Sequence, residues 1–231
     1  MLKELKKEVL AANLDLVKLG LVLFTWGNVS ARDEKTGFVV IKPSGVPYET
    51  MTADDMVVLD MDGTIVEGDL NPSSDTPTHI EIYKAFKEIR AVVHTHSKWA
   101  TSWAQACRAI PALGTTHADN FFGEIPCTRR MTKEEIKNDY EKNTGLVIIE
   151  TFNDKGINPL DIGAVVVANH GPFSWGVSAA KAVENAAVME YAAEMAFISV
   201  QINTKASMQN ELLNKHFLRK HGSDAYYGQK E

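Results

Sequence analysis

Cysteine is scarce in this sequence, and positively charged residues are fewer than negatively charged ones. The 231 residues include two cysteines, Cys107 and Cys127, which are too few for a disulfide framework and lack Cys-x-x-Cys spacing. We expect both to remain reduced thiols, as in cytoplasmic proteins. The 24 lysines and arginines are outnumbered by 30 aspartates and glutamates, for a formal net charge of -6. This balance argues against a nucleic-acid partner, which would favour a basic surface.

Long hydrophobic runs are also missing. A membrane-spanning helix needs about 20 apolar residues without charges, and the longest helical candidate, 178–201, carries Lys181, Glu184, Glu190 and Glu194. The N-terminal segment alternates leucine with lysine and glutamate, so no signal peptide is predicted. We therefore expect a cytoplasmic protein without a membrane partner. Its 45% hydrophobic content is sufficient for a substantial core.

The pattern of apolar residues predicts alternating helices and short strands. An amphipathic helix is expected over 3–18, ended by Gly20. Asp62-Gly63 is typical of a hairpin turn, and Pro77 suits the first turn of a helix reaching about residue 87. Thr132 and Glu135 form a capping-box sequence that predicts a helix ended by Gly145. The predicted strands are 21–25, 38–42, 56–60, 64–66, 91–96, 112–115 and 164–168.

Further helices are expected over 98–107, 178–201 and 207–221, with Gly222 as the last helix cap. Segment 146–150 fits either a helix or a strand. No linker, repeat or low-complexity stretch divides the chain, so we predict one domain over 1–231. The expected fold class is α/β, with a mixed central sheet covered by helices on both faces.

Two histidines lie at the end of a predicted strand, in His94-Thr95-His96. Side chains at i and i+2 share one face of a strand, and His170 follows another apolar run. Three such nitrogen donors suit zinc, with manganese or cobalt as substitutes, and Asp75 is a candidate oxygen donor. His79 is an alternative ligand, four residues after Asp75. A single histidine is more often a packed or exposed residue, but this spacing favours a metal site.

Three short turns end apolar segments and could hold an anion: Gly27-Asn28, Ser44-Gly45 and Ser73-Ser74. Small residues expose backbone N–H groups, and hydroxyls add donors. Lys42 could add a positive charge. Each turn alone is an ordinary turn sequence. Together, beside a metal site, they favour a phosphate-ester substrate, although the residues alone also fit a zinc hydrolase.

Candidate acid–base groups lie farther along the chain. Asp119 follows the predicted strand at 112–115, and two adjacent tyrosines, Tyr226 and Tyr227, lie near the C-terminus. A polar terminus is normally frayed. The residues alone therefore favour a disordered tail. Paired tyrosines are unusual in such a tail unless it packs against another part of the protein.

With these motifs in view, the chain resembles the class II aldolase/adducin family, and within it the epimerases of phosphorylated pentoses. The resemblance covers essentially the whole chain. It is carried by Thr25-Trp26-Gly27-Asn28-Val29-Ser30, Ile41-Lys42-Pro43-Ser44-Gly45, Pro72-Ser73-Ser74-Asp75-Thr76, His94-Thr95-His96-Ser97, Gly114-Thr115-Thr116-His117-Ala118-Asp119, His170-Gly171-Pro172 and Ala225-Tyr226-Tyr227-Gly228-Gln229.

The resemblance implies one zinc ion per subunit on Asp75, His94, His96 and His170. It assigns acid–base roles to Asp119 and Tyr227, which reverses the interpretation of the tail. It also implies a homotetramer with active sites between neighbouring subunits. The implied substrate-binding positions are Gly27, Asn28, Lys42, Ser44, Gly45, Ser73, Ser74, Thr115, Thr116, Glu141, His216 and Arg219.

The implied reaction interconverts L-ribulose 5-phosphate and D-xylulose 5-phosphate. Related aldolases place a glutamate base where Asp75 stands, so the shorter aspartate matches the epimerase pattern. The alternatives are a class II sugar-phosphate aldolase and a non-catalytic, adducin-like structural domain. The structural domain would not need the four ligands that this chain retains.

Overall fold

A computed structural model describes residues 1–222 and 225–226, and its centre is a seven-stranded sheet. The strands are β1 (Asn28–Arg32), β2 (Val39–Ile41), β3 (Val57–Leu59), β4 (Ile65–Glu67), β5 (Ala91–His94), β6 (Ala164–Val166) and β7 (Pro172–Gly176). Their order is β4-β3-β2-β1-β5-β7-β6. Neighbouring strands pair antiparallel, and an isolated bridge between Cys127 and Val166 adds a parallel pairing at the β6 edge.

Helices cover both faces of this sheet. They are α1 (Lys3–Lys18), α2 (Thr76–Ala85), α3 (Lys98–Gln105), α4 (Thr115–Ala118), α5 (Lys133–Lys137), α6 (Tyr140–Lys155), α7 (Ala179–Ile202) and α8 (Asn210–His221). A 3₁₀ turn covers Ala53–Asp55. Within the described residues, no helix is both long and apolar enough to cross a membrane.

Alternating side chains of the strands divide the core into two layers. In β5, Val93 packs in the layer that contains Val9 and Leu16 of α1. Its neighbour Val92 packs in the other layer, which contains residues of α2, α3 and α6. Because β5 is buried on both faces, its ends lie at fixed positions between the two helical layers. The predicted α/β class with a helix-covered central sheet is confirmed.

Several predicted elements are confirmed at nearly the expected residues. Helix α1 has the predicted bounds, and the Asp62-Gly63 turn joins β3 to β4. The Thr132 hydroxyl accepts from the Glu135 backbone, as a capping box requires. Gly222 caps α8 through its N–H to the Leu218 carbonyl. Segment 146–150 is helical.

Other predictions are wrong. Segment 21–25 is not a strand, because Phe24 adopts a φ of 54° and a turn bond joins the Trp26 N–H to the Leu23 carbonyl. Segment 112–115 is not a strand either. The N–H groups of Ala118 and Asp119 bond to carbonyls four residues earlier, which starts the short helix α4 instead.

Gly145 does not end a helix. The capped helix α5 ends at Lys137, and α6 begins at Tyr140 and runs through Gly145. A Cβ at this glycine would lie 2.8 Å from the Cβ of Glu81 on α2. The glycine therefore allows α6 to pack closely on α2. The sequence analysis also missed β1 and β7. Their polar, glycine and proline residues interrupt the alternation of apolar and polar side chains that predicts a strand.

Candidate active site

Three histidines converge above the end of β5. His94 is the last residue of this strand, His96 follows two residues later, and His170 lies in the loop between β6 and β7. Because β5 pairs with β7, with His94 opposite Phe173, this loop returns to the end of β5. The candidate ligand atoms of the three histidines all lie within 4.8 Å of one another. We call these residues the three-histidine set.

Hydrogen bonds orient two of these rings. His94 Nδ1 lies 3.0 Å from the Pro172 carbonyl oxygen and donates to it, which leaves the Nε2 lone pair available. His170 Nδ1 lies 3.3 Å from the Tyr140 hydroxyl. Phe173 stacks on the His94 ring with centroids 4.2 Å apart. Rings held in this way are pre-organised for metal binding.

The same rings are kept neutral, which is the form that binds a metal. Burial lowers the pKa of His94 and of His96. Burial lowers the pKa of His170 to about 3, and the neighbouring His94 and His96 act in the same direction. Three neutral imidazoles at this spacing fit a divalent transition metal.

Asp75 lies beside the three-histidine set and precedes the first residue of α2. Its Oδ2 accepts a hydrogen bond from Asn28 Nδ2 at 2.7 Å. Burial by itself would raise the pKa of this carboxyl, but nearby His94 and His79 and the bond from Asn28 outweigh burial and lower it. Asp75 is therefore an ionised carboxylate that lines the same cavity as the three-histidine set, and its coordination of a metal stays a prediction.

A cavity of about 500 Å³ opens in front of these residues, and we call it the main cavity. All three predicted anion-binding turns line it, together with Lys42 and Glu141. Gly27 has a φ of +76°, and a Cβ there would lie 2.6 Å from Val22 Cγ1. The turn at Gly27-Asn28 therefore requires glycine. The predicted juxtaposition of the turns and the histidines is present.

Lys42 is buried in the wall of this cavity, with 2% of its surface exposed. Its Nζ lies 3.2 Å from the Thr25 carbonyl oxygen and 3.3 Å from that of Pro43, and 4.9 Å from the centre of the Tyr48 ring. Among the described residues, no carboxylate forms an ion pair with it. Burial lowers the pKa of Lys42. A buried cation without a countercharge suits an anionic ligand.

Tyr140 also lines the cavity, and the sequence analysis missed it. It begins α6 directly after Asp139, which adopts a φ of 49°. Burial raises the pKa of the Tyr140 hydroxyl, and the charges of Asp75 and Glu141 add to this effect. No spacing in the sequence links Tyr140 to His170. Only the packing of α6 brings them together.

His79, the alternative ligand, is not part of the three-histidine set. Its side chain is fully buried, and its Nδ1 lies 2.7 Å from Ser30 Oγ. Burial lowers its pKa to about 3. The alternative in which His79 chelates the metal with Asp75 is not supported by this geometry.

Asp119 lies in a different part of the chain, beside α8. Arg219 donates to both of its carboxylate oxygens, at 2.9 and 2.8 Å, and His216 Nδ1 lies 2.9 Å from Oδ1. Burial would raise the pKa of Asp119, but the bonds from Arg219 and His216 and the charge of Lys220 outweigh it, so the pKa is lowered. Asp119 is therefore an ionised carboxylate held by cations.

Asp119 and the predicted residues around it do not line the main cavity that the described residues of this chain form. These residues are Thr115, Thr116, Asp119, His216 and Arg219. Thr116 lines a separate cavity of about 110 Å³ with His117. Tyr227 lies outside the described residues. The structure thus brings together the predicted metal ligands and anion-binding turns, but not the predicted acid–base aspartate.

The sequence matches the family model described as Class II Aldolase and Adducin N-terminal domain over residues 7–197. The chain belongs to this family. Class II aldolase proteins are typically dependent on a divalent metal, and the three-histidine set provides a place for one.

Solved structures share the class II aldolase fold. An L-fuculose 1-phosphate aldolase is 24% identical with a TM-score of 0.78, over 92% of this chain and 94% of that chain. The L-fuculose 1-phosphate aldolase from Glaciozyma antarctica PI12 is 16% identical with a TM-score of 0.75, over 96% and 84%. YgbL from Escherichia coli, a putative aldolase/epimerase/decarboxylase, is 20% identical with a TM-score of 0.73, over 92% and 97%. At these identities the likeness establishes the fold.

Proposed function

We propose that this protein is a zinc-dependent epimerase that interconverts L-ribulose 5-phosphate and D-xylulose 5-phosphate in the cytoplasm. The observation that carries the proposal is the meeting of the three-histidine set and the three predicted anion-binding turns in one cavity. The histidines suit a metal that binds the oxygens of a sugar, and the turns suit the phosphate at its other end.

The reaction has to invert C4, whose hydrogen is not next to the carbonyl and is therefore not acidic. Cleavage of the C3–C4 bond avoids this difficulty, because it gives glycolaldehyde phosphate and the enediolate of dihydroxyacetone. Re-addition to the opposite face of the aldehyde inverts C4. The bound zinc would supply Lewis-acid stabilisation of the negative charge that develops on the three-carbon fragment.

The residues of the main cavity would hold the phosphate while the aldehyde turns. Ser44, Ser73 and Ser74 supply hydroxyls, Gly27 and Gly45 expose backbone, and Lys42 supplies a positive charge. Asn28 donates to Ser73 Oγ and to Asp75, so it links the anion-binding turn to the candidate metal ligand. A phosphate held at several points retains the cleaved fragment in the site.

Inversion also needs two acid–base groups, because the O4 proton leaves on one face and returns on the other. We assign these roles to Asp119 and Tyr227. Asp119 does not line the main cavity of its own chain, so we propose that it acts at the site of a neighbouring subunit in a homotetramer. His216 and Arg219 would then hold its carboxylate in place.

The nearest alternative is a class II aldolase that releases its fragments. The side chain at position 75 supports the epimerase, because the resemblance implies a ligand role for an aspartate here, and Asp75 accepts a hydrogen bond from Asn28 in the cavity that the histidines line. The longer glutamate of related aldolases acts as a base. A structural, adducin-like domain would not require neutral, oriented histidines around one point.

Incubation of the zinc-loaded protein with L-ribulose 5-phosphate, followed by NMR, tests the proposal. We expect D-xylulose 5-phosphate to form, to stop forming when zinc is chelated, and to form again when zinc is restored. Accumulation of glycolaldehyde phosphate and dihydroxyacetone would identify an aldolase instead. Unchanged substrate with bound zinc would contradict both activities.

A further inference from the structure

Tyr48 is a buried tyrosine that contacts two parts of the predicted anion site without lining the main cavity. It follows β2, in a turn where the Met51 N–H donates to the Pro47 carbonyl at 3.1 Å. Only 3% of its surface is exposed. A buried hydroxyl costs free energy unless it is hydrogen-bonded, and the partners of this one belong to an anion-binding turn.

The Tyr48 hydroxyl bonds to the backbone of the turn at Gly27. Its oxygen lies 2.8 Å from the Trp26 carbonyl oxygen and 3.0 Å from the Gly27 carbonyl oxygen. Burial raises the pKa of Tyr48, so the hydroxyl stays protonated and donates. A donor shared by two successive carbonyls fixes the orientation of both peptide groups. It does so at the residue whose φ of +76° requires glycine, where the backbone has the greatest freedom.

This orientation directs a backbone N–H group away from Tyr48. In a planar trans peptide the C=O and N–H bonds point in opposite directions. The Gly27 N–H belongs to the same peptide group as the Trp26 carbonyl, so it points away from the Tyr48 hydroxyl. Among the described residues, no backbone carbonyl accepts from this N–H. Because Gly27 lines the main cavity and Tyr48 does not, the N–H is available to an anion in the cavity.

The Tyr48 ring contacts the second part of the anion site, the buried ammonium of Lys42. Nζ lies 4.9 Å from the ring centre, which is within the range of a cation–π interaction. An ammonium has three N–H donors, and the carbonyl oxygens of Thr25 and Pro43 accept two of them, at 3.2 and 3.3 Å. The third donor remains for a ligand in the cavity that Lys42 lines.

We propose that Tyr48 is a positioning residue for the substrate phosphate: its hydroxyl fixes the turn at Gly27 and its ring holds the Lys42 ammonium. The Gly27 N–H and the remaining Lys42 donor then serve one anion. The inference rests on the proposed function in one respect, that the main cavity binds a phosphate, but not on the metal or the reaction. Donors that are already fixed cost less free energy to order when the anion binds.

Two substitutions separate the hydroxyl from the ring. Tyr48→Phe removes the bonds to the turn and keeps the ring beside Lys42. Tyr48→Met removes both, and the flexible methionine side chain fills much of the space of the ring. Each change is also combined with Lys42→Met. A ring that acts through Lys42 has no effect on phosphate once the ammonium is gone, so the combination measures the coupling.

The readout is the Kd of inorganic phosphate for the zinc-loaded protein, measured by phosphorus NMR titration, which also detects weak binding. We expect Tyr48→Phe to raise this Kd about fivefold, as for the loss of one hydrogen bond. Tyr48→Met should raise it at least about twentyfold, because the cation–π interaction is lost as well. In the Lys42→Met background the two Tyr48 variants should have equal Kd values. With L-ribulose 5-phosphate, Tyr48→Phe should raise KM and leave kcat within about twofold.

Tyr83→Phe is the matched control. Tyr83 is fully buried in α2, and its hydroxyl lies 2.8 Å from Ser30 Oγ, so this variant also loses a buried hydroxyl bond. Tyr83 does not line the main cavity. We expect Tyr83→Phe to lower thermal stability as Tyr48→Phe does, but to leave the phosphate Kd unchanged. Elemental analysis should show wild-type zinc in all of these variants, which separates the effect on phosphate from the metal site.

An unchanged phosphate Kd in folded Tyr48→Phe would overturn the role of the hydroxyl, and so would an equal rise in Tyr83→Phe. Different Kd values for the two Tyr48 variants in the Lys42→Met background would overturn the role of the ring. If Tyr48→Met does not fold, Tyr48→Leu takes its place in the same comparison.

The wild type distinguishes failure of this inference from failure of the proposed function. If it binds no phosphate, or if Lys42→Met does not weaken the binding, the phosphate site of the proposed function fails and this inference fails with it. If phosphate binds as expected but no D-xylulose 5-phosphate forms, only the proposed reaction fails.

Discussion

At the scale of single residues, two buried polar side chains of the site lack part of their usual bonding. Lys42 is buried without a carboxylate, and the side-chain oxygen of Asn28 has no hydrogen-bond partner among the described residues. Such groups destabilise the folded protein until a ligand completes their bonding. Lys42 and Asn28 both line the main cavity, which is typical of a binding site rather than of a core.

Replacing Lys42 with methionine separates stability from binding. We expect Lys42→Met to raise the free energy of unfolding by about 1 kcal/mol in phosphate-free buffer, because it removes a buried cation. The same change should raise the KM for the proposed substrate, L-ribulose 5-phosphate, at least tenfold (about 1.4 kcal/mol of binding). Urea unfolding and steady-state kinetics measure the two effects. The exposed Lys35→Met is the control and should change neither.

The same lysine predicts a pH dependence of stability. Burial lowers the pKa of Lys42 below its ordinary value of 10.5, so the unfolded chain binds more protons between the two pKa values. In that window the free energy of unfolding therefore contains a term that rises with pH. Urea unfolding across this range should show a steeper rise for the wild type than for Lys42→Met. Parallel curves would contradict this assignment.

The three-histidine set predicts that removal of one imidazole abolishes tight metal binding. We expect purified His96→Asn to retain less than about a tenth of the wild-type metal content, since the remaining ligands no longer complete the coordination. Elemental analysis measures this directly. His221→Asn, which changes a histidine outside the set, should keep its full metal content. Undiminished zinc in His96→Asn would remove His96 from the ligands.

At the scale of elements, Asp75 at the start of α2 and the first residues of α6 lie in one wall of the site. Helix α2 follows Asp75 and carries His79, and α6 begins with Tyr140 and Glu141. The Thr78 hydroxyl donates to the Glu141 carbonyl at 2.5 Å, so the two helix starts are tied together. Their close approach depends on Gly145. The position of Tyr140 against His170 therefore depends on helix packing.

Gly145→Ala tests this packing. In an isolated helix the change would stabilise by up to about 1 kcal/mol. Here the new Cβ would lie 2.8 Å from Glu81 Cβ and 3.1 Å from the Thr78 carbonyl oxygen. We expect a net loss of about 1–3 kcal/mol in the free energy of unfolding, because α2 and α6 must move apart. Lys142→Ala, on the exposed side of α6, should stay within about 0.5 kcal/mol of the wild type.

At the scale of the whole molecule, the candidate acid–base and metal-binding parts are separate within one chain. Asp119 is held by residues of α8, whereas the main cavity is formed by the ends of β1, β2 and β5 with Asp75 before α2 and the first residues of α6. In the proposed homotetramer, the two parts would meet between neighbouring subunits. The proposed assembly and the proposed chemistry therefore depend on each other.

Loss of either acid–base group should slow turnover and leave the metal in place. We expect Asp119→Asn and Tyr227→Phe each to lower kcat well over tenfold, because each removes one of the two proposed proton-transfer groups. Elemental analysis should show wild-type zinc in both variants. Full activity in both variants would contradict the acid–base assignment.

Mixed oligomers test whether sites are shared between subunits. Asp119→Asn and His96→Asn would each be inactive alone, since each damages every site. After co-expression and purification of the mixed assembly, we expect part of the activity to return, because some interfaces combine an intact Asp119 with an intact three-histidine set. Co-expression that restores no activity in a confirmed mixed assembly would place both parts in sites within one chain.

The sequence by itself determined the features that depend on neighbouring residues. The spacing of His94 and His96, the anion-binding turns, helix α1, the hairpin of β3 and β4 and the capping box at Thr132 are local patterns. Each follows from the geometry of a strand, a turn or a helix end. The role of the tail tyrosine was not local, and only the resemblance to a family indicated it.

The tertiary structure decided what depends on residues far apart in the chain. It placed β1, with its polar residues, at the centre of the sheet and continued α6 through Gly145. It also brought Tyr140 to His170 and separated Asp119 from the main cavity. The physical reason is that packing and buried hydrogen bonds between distant segments can override local preference. Their partners cannot be determined from one stretch of sequence.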